Sequence, residues 1–126
     1  MTDLSVTADA HPHHTVLWVR GKIMFDSQEP LGEALTVALT VPAPRIVVDL
    51  HEVAICDSSG LQLLIDAHRR AAAAGGWLRL SRPQGLVERV LKITNLDAIL
   101  PVHRSVDAAV SDPGPPGSGA LSDGTV

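Results

Sequence analysis

Between residues 46 and 66 the sequence runs Ile46-Val47-Val48-Asp49-Leu50, then His51-Glu52-Val53-Ala54-Ile55-Cys56, then Asp57-Ser58-Ser59-Gly60, and then Leu61-Gln62-Leu63-Leu64-Ile65-Asp66. The apolar, β-branched first part reads as a buried strand, and the segment after Gly60 reads as a helix. Asp-Ser-Ser-Gly therefore sits at a helix N-terminus. That end carries unpaired backbone N–H groups and the positive end of the helix dipole, so it suits a phosphate, including one attached to a serine at that place.

The remaining pattern surrounds this unit with more of the same kind. Leu4–Ala8 and Thr15–Arg20 read as two strands of a hairpin, joined by a turn holding Asp9, His11, Pro12, His13 and His14. From Asp26 or Ser27, each a suitable N-cap, a helix is expected to about Thr40, with Leu31, Leu35, Ala38 and Leu39 on one face and Pro30 in the first turn. The helix after Gly60 carries Leu61, Leu64, Ile65, His68 and Ala72 on one side. Leu63, Ala67 and Ala74 widen that arc, so cover around most of its circumference is expected, with Gly75-Gly76 closing the helix.

Trp77–Ser81 follows as a strand, and strand, helix, strand in that order implies a parallel crossover. Leu86, Val87, Val90, Leu91 and Ile93 are expected to form the buried face of the next helix, with Asn95 capping its end. Ala98–Val102 reads as a short edge strand and Val106–Val110 as a last short helix. The expectation is an α/β domain over residues 1–111, a mixed sheet of four to five strands with helices mainly on one face. Residues 112–126, rich in Pro, Gly and Ser, read as a disordered tail, because such a composition buries too little surface to offset its ordering entropy.

At 126 residues there is room for one sheet and a few helices, and with only Trp18, Phe25 and Trp77 as aromatics the core must be aliphatic. A formal charge of −4 without a Lys/Arg cluster argues against nucleic acid as the main partner. A single cysteine, Cys56, rules out an internal disulfide and fits a reducing compartment. No segment approaches the length of a membrane span and no leader pattern opens the chain, so a cytoplasmic protein is expected. With no obvious surplus apolar surface, the expectation is a monomer.

The strand leading into Asp57-Ser58-Ser59-Gly60-Leu61, the Gly21-Lys22-Ile23 turn and the Val87-Glu88-Arg89-Val90-Leu91 helix resemble the STAS family of bacterial anti-sigma factor antagonists. The resemblance extends in kind from about Leu4 to Val110. It implies a single STAS-like domain with no catalytic group and no cofactor. It implies phosphorylation at Ser58 by an anti-sigma factor that is itself a protein serine kinase, and resetting by a serine phosphatase. Capture of the anti-sigma factor would free a sigma factor for transcription. The partner-binding residues implied are Asp57, Ser58, Ser59, Gly60 and Leu61. At one place the sequence departs from the pattern: where antagonists read Gly-Glu-Leu-Asp, this chain has Gly21-Lys22-Ile23-Met24, so the expected carboxylate is absent or is supplied by Asp26 through a shifted loop.

Other readings compete at each position. Serine and aspartate are common helix caps, so Asp57, Ser58 and Ser59 also read as capping groups alone. Gly60 suits either a partner's close approach or a tight turn. A small hydrolase with Ser58 as nucleophile would need Gly-x-Ser-x-Gly and a well-spaced acid and histidine, and Asp57-Ser58-Ser59-Gly60 lacks the first glycine. A STAS scaffold subunit of a stress-signalling complex would use the same surface. Cys56, between apolar and acidic neighbours, reads as a packing cysteine. His11, His13 and His14 lack a ligand framework at recognised spacing, so no metal site is expected, and His68 reads as a partnered core histidine.

Overall fold

The hairpin forms as its alternation predicts. In the computed structural model, which describes residues 3–113, β1 (Leu4–Ala10) and β2 (Thr15–Ile23) pair antiparallel, with Leu4 opposite Gly21 and Ala10 opposite Thr15. The elements that follow are α1 (Glu29–Ala38), β3 (Arg45–Cys56), α2 (Ser58–Ala73), β4 (Trp77–Ser81), α3 (Gly85–Ile93), a 3-10 turn (Leu96–Ala98), β5 (Val102–His103) and α4 (Val106–Ser111). The sheet order is β1-β2-β3-β4-β5, and every pairing after the first is parallel. Each parallel step is a crossover through a helix or a longer connection. The expected mixed α/β sheet of four to five strands is present, with five.

The two faces of the sheet differ. Leu17, Val19, Ile46, Val48, Leu50, Leu78 and Leu80 point to one side. They form the main core there with Leu31 and Leu35 of α1, Leu61, Leu64 and Ile65 of α2, and Val87 and Leu91 of α3. The other face carries a small cluster of Val16, Val47 and Ala109, flanked by Trp18, Trp77 and Val106, beneath α4 alone. Helices thus lie mainly on one face. On the α4 side the strands bury polar groups as well: Asp49, Arg79 and Ser81 are each at most 3% exposed.

Arg79 holds the six-residue α4 in place. Its Nη1 donates to the carbonyls of Ala109 (2.6 Å) and Asp112 (2.8 Å), groups that a helix C-terminus leaves unpaired. Its guanidinium also stacks 3.8 Å above the Trp77 ring. Asp112, expected to open the tail, is therefore fastened to the sheet, and its Oδ2 lies 2.7 Å from His103 Nε2. From residue 114 onward the expected tail lies outside the described residues.

Several local expectations shift. α1 begins at Glu29, after Gln28, instead of at Asp26 or Ser27, because the Ser27 hydroxyl is committed inside the preceding loop: it donates to Lys22 O and accepts from Met24 N–H. α3 buries only Val87 and Leu91, while Leu86 and Ile93 face solvent, since a helix covering a sheet on one side has no second apolar neighbour. The end of α2 is likewise open, with Ala72, Ala73 and Ala74 exposed. The short edge strand falls at Val102–His103, after the 3-10 turn. His68 lacks the expected partner at Nδ1: among the described residues that atom is buried without a hydrogen bond, and the side chains of its helix neighbours Leu64, Ile65 and Ala71 are apolar.

The feature that positions the site is the length of β3. β4 stops pairing at Ser81, opposite Asp49, whereas β3 continues to Cys56 against β2 alone, its register interrupted between Trp18 and Arg20 and between Gly21 and Lys22. Residues 50–56 of β3 thus extend past β4 along β2 and deliver the chain to Asp57.

Candidate functional site

The site is built where the ends of β2 and β3 meet. Asp57 N–H donates to Ile23 O at 3.0 Å, continuing the ladder by one bond, and the backbone of Asp57 (φ −83°, ψ −179°) is extended as an N-cap requires. Its carboxylate then does two things. Oδ1 accepts from Gly60 N–H (2.9 Å) and from the Ser59 hydroxyl (2.7 Å), closing the first turn of α2. Oδ2 accepts from Phe25 N–H at 2.9 Å, tying the loop between β2 and α1 to the start of α2. Ser59 Oγ also lies 3.2 Å from Gln28 Oε1, a second link to the same loop.

These contacts hold the Asp57 carboxyl below the usual carboxylate range; the Ser59 hydroxyl contributes most, followed by Gly60 N–H and Phe25 N–H. A depressed folded-state pKa means that the clasp is intact above the ordinary aspartate value and is lost as pH falls through the lower, folded one. The Phe25 amide resonance is therefore expected to titrate below the ordinary aspartate value. A midpoint at or above the ordinary aspartate value would show that the clasp does not persist in solution.

The residues expected from the sequence separate into two groups. Ser58 is exposed, and its hydroxyl has no hydrogen bond among the described residues, so it stands free on the first turn of α2. Asp26 is exposed in the clasped loop, next to Phe25, and Met24 beside it is half-buried. Gly60 and Leu61, by contrast, are buried in the free chain. A Cβ on Gly60 would come within 2.7 Å of Ile23 Cγ2, so this glycine serves the close approach of α2 to β2 and offers no surface to a partner.

The sequence reading did not single out Phe25 or Gln28. Phe25 is 80% exposed, an aromatic side chain displayed beside the α2 N-terminus by the bond that its own N–H makes to Asp57. The one signal for it was its position between Met24 and Asp26, outside any periodic run. Gln28 also lines a groove of about 530 Å³ between α1 and α2, together with Glu29, Gly32, Glu33, Val37 and Leu63. An exposed aromatic ring, a free hydroxyl and an acidic rim thus lie along one edge of the molecule.

Neither neighbouring chemistry competes. Burial, and then Asp57, pushes the Cys56 thiol up to about 12, so it is protonated and packs as a small apolar group. His68 stands ten residues along α2 from Ser58, about 15 Å of helix, well beyond the reach of a nucleophile's base. His103 is engaged with Asp112. In the histidine turn, His11 stacks on His14 at 4.5 Å and its Nε2 lies 3.2 Å from Asp9.

Residues 6–101 match the family described as Mlab, STAS domain. The chain belongs to the STAS domain family. Over 68 residues, 54% of this chain and 60% of the relative, it is 32% identical to a protein of Thermotoga neapolitana named as a candidate anti-sigma factor antagonist, homologous to TM1081. The aligned part thus spans less than two thirds of that relative. Among solved structures, an anti-sigma factor antagonist from Mycobacterium paratuberculosis superposes with a TM-score of 0.77 at 22% identity, over 86% of this chain and 92% of that one. The anti-sigma factor antagonist SpoIIAA in its unphosphorylated form superposes at 0.69 and 18% identity, over 84% and 93%. SpoIIAA of Bacillus has also been solved in its phosphorylated form, with a TM-score of 0.65 at 17% identity over 84% and 96%. This STAS chain has homologues named as anti-sigma factor antagonists and shares their fold. Among the described residues no helix is long and apolar enough to cross a membrane.

Proposed function

We propose that this STAS domain is an anti-sigma factor antagonist: it binds an anti-sigma factor with protein serine kinase activity through the α2 N-terminus and the β2–α1 loop, and phosphorylation of Ser58 ends that binding. The observation that carries this reading is the division of labour between neighbours. Asp57 supplies the capping oxygens, while the Ser58 hydroxyl beside it is exposed and uncommitted. A serine needed as the cap would be spent on the helix. This one is open to a kinase.

Phosphate on Ser58 would add about −1.5 to −2 charges at a helix start, where the dipole and the first-turn N–H groups favour a negative charge. The fold therefore tolerates the modification. A docked partner would not, because the new charge joins Asp57 and Asp26 at a surface where a kinase brings acidic and nucleotide-phosphate groups of its own. Phe25 supplies the apolar contact of that surface, and Asp26 takes the place of the carboxylate missing at Met24. A serine phosphatase resets the switch.

The test is capture from the host lysate with wild-type and Ser58→Glu baits in parallel, followed by peptide mass mapping. A kinase-like ATPase held by the wild type, lost from the glutamate bait and able to phosphorylate Ser58 when given ATP is the expected result. Identical partners on both baits, with Ser58 unmodified, would sink the electrostatic switch and favour a scaffold role.

A further inference from the structure

Among the described residues, the outer edge of β1 meets no further strand along its whole length, and Asp9 is the only charge on that strand. β1 is a terminal strand, and its seven residues, Leu4-Ser5-Val6-Thr7-Ala8-Asp9-Ala10, contain no proline, no lysine and no bulge. Exposed edges normally carry such features to prevent pairing with another chain. Which groups are free follows from the ladder. Lys22 N–H donates to Asp3 O at 2.9 Å, across the Leu4–Gly21 pair, so Leu4–Gly21 is a non-hydrogen-bonded pair. Ser5, Thr7 and Asp9 therefore bond to β2, and the N–H and C=O groups of Leu4, Val6, Ala8 and Ala10 point outward.

The geometry points to a second copy of this chain as the partner of that edge, joined antiparallel about a twofold axis at Thr7. In that register Val6 bonds Ala8 of the second copy and Leu4 bonds Ala10, so every outward group of the strand is paired. A shift of the axis to Val6 or to Ala8 leaves one end of each strand unpaired, and the Val6 axis also sets Asp3 directly against Asp9 of the second copy. With the axis at Thr7, Asp3 instead faces His11 of the second copy, and Asp9 faces Ser5. Hydrogen bonding selects the Thr7 register, and charge repulsion further excludes the Val6 axis.

The side chains agree with the backbone. Leu4 and Val6 pack against the main core, beside α1, so even-numbered residues face the helices. The Thr7 register pairs even with even, which places α1 of both copies on the same side of one continuous ten-stranded sheet. Beside the edge, Val37 (69% exposed) and Val41 (51% exposed) line an apolar groove of about 530 Å³ with Val6, Ala8 and Ala10. These residues are the surplus apolar surface that the sequence did not reveal, and the second copy covers them. An isologous twofold contact closes on itself and stops at a dimer. Ser58 follows the end of β3, which β2 separates from that edge.

Sedimentation of the full chain, with three variants, tests this. The wild type is expected as a dimer. Thr7→Cys should cross-link on oxidation, because residues opposite each other in a non-hydrogen-bonded pair have Cα atoms roughly 4.5 Å apart, within disulfide range. Wild-type protein, whose only thiol is the buried Cys56, should not cross-link. Ser5→Cys should not either, since its counterpart lies four residues out of register. Ala8→Pro removes an outward N–H and no bond to β2, so it should give a folded monomer. A wild type that stays monomeric at every concentration, cross-linking of Ser5→Cys as readily as Thr7→Cys, or a folded Ala8→Pro that remains dimeric would overturn the inference. Should Ala8→Pro fail to fold, the contrast between the two cysteine variants decides alone.

Discussion

Asp49→Ala is expected to lower the free energy of unfolding by about 3 kcal/mol. The Asp49 side chain is 4% exposed and accepts from Ser81 Oγ at 2.8 Å and from Arg82 Nε and Nη2 at 2.9 and 3.1 Å. Removing it leaves the Ser81 hydroxyl, which is fully buried, without an acceptor. Arg82 adds less: its side chain is 36% exposed and can turn to water, so the effect stays at the lower end of what breaking a buried pair costs. The same fork holds Arg82 at a positive φ of 53°, a conformation that side chains other than glycine rarely adopt. Its location gives the change a second consequence. Asp49 lies where β4 ends and β3 continues with β2 alone, so the root of the extension that delivers Asp57 loosens with it. Denaturant unfolding with an unchanged m-value would check the size; a loss below about 1 kcal/mol would show that the fork is not stabilising.

Gly60→Ala is the second large effect, and it connects packing to the site. The new Cβ would lie 2.7 Å from Ile23 Cγ2, 2.8 Å from Cys56 Sγ and 3.0 Å from Ile23 O. Ile23 is fully buried and Cys56 nearly so, so neither can move aside without moving a strand end. Overpacking of this kind costs about 1–3 kcal/mol, more than the gain of up to about 1 kcal/mol from replacing a helical glycine by alanine. The relief available is for α2 to shift away from β2, which lengthens the Asp57–Phe25 bond and disorders the surface around Ser58. Gly32→Ala in α1 is the control, because a Cβ there meets nothing within 4 Å and should stabilise the protein slightly. Melting curves of the two variants should move in opposite directions. If they move together, the contact with Ile23 and Cys56 does not constrain the turn.

Much of the site was legible because it is local. The passage from a β-branched run to Asp-Ser-Ser-Gly and then to a helical pattern locates a helix N-terminus within a dozen residues, and Asp57 and Ser58 stand there. The crossover order and the Gly75-Gly76 stop are likewise matters of period and turn chemistry. What escaped depends on residues far apart in the chain. The second oxygen of Asp57 finds Phe25 N–H, 32 residues earlier, and that bond helps display the Phe25 ring at the α2 N-terminus. Leu86 and Ile93 fit the apolar pattern of α3 yet face solvent, because periodicity marks a helix face but not the width of the surface that will cover it.

The sequence alone thus determined the kinds of elements, their order, the parallel crossover and the placing of a capped serine at the start of α2, all consequences of side-chain period and backbone hydrogen bonding over short distances. Tertiary structure decided which of those capping groups is spent and which is free, that Gly60 and Leu61 are buried, that α4 crosses to the opposite face under the hold of Arg79, and that β1 is left as an open edge. Those outcomes rest on which strand ends first and which atom lies opposite it, and such distances are set only when the whole sheet has closed around its core.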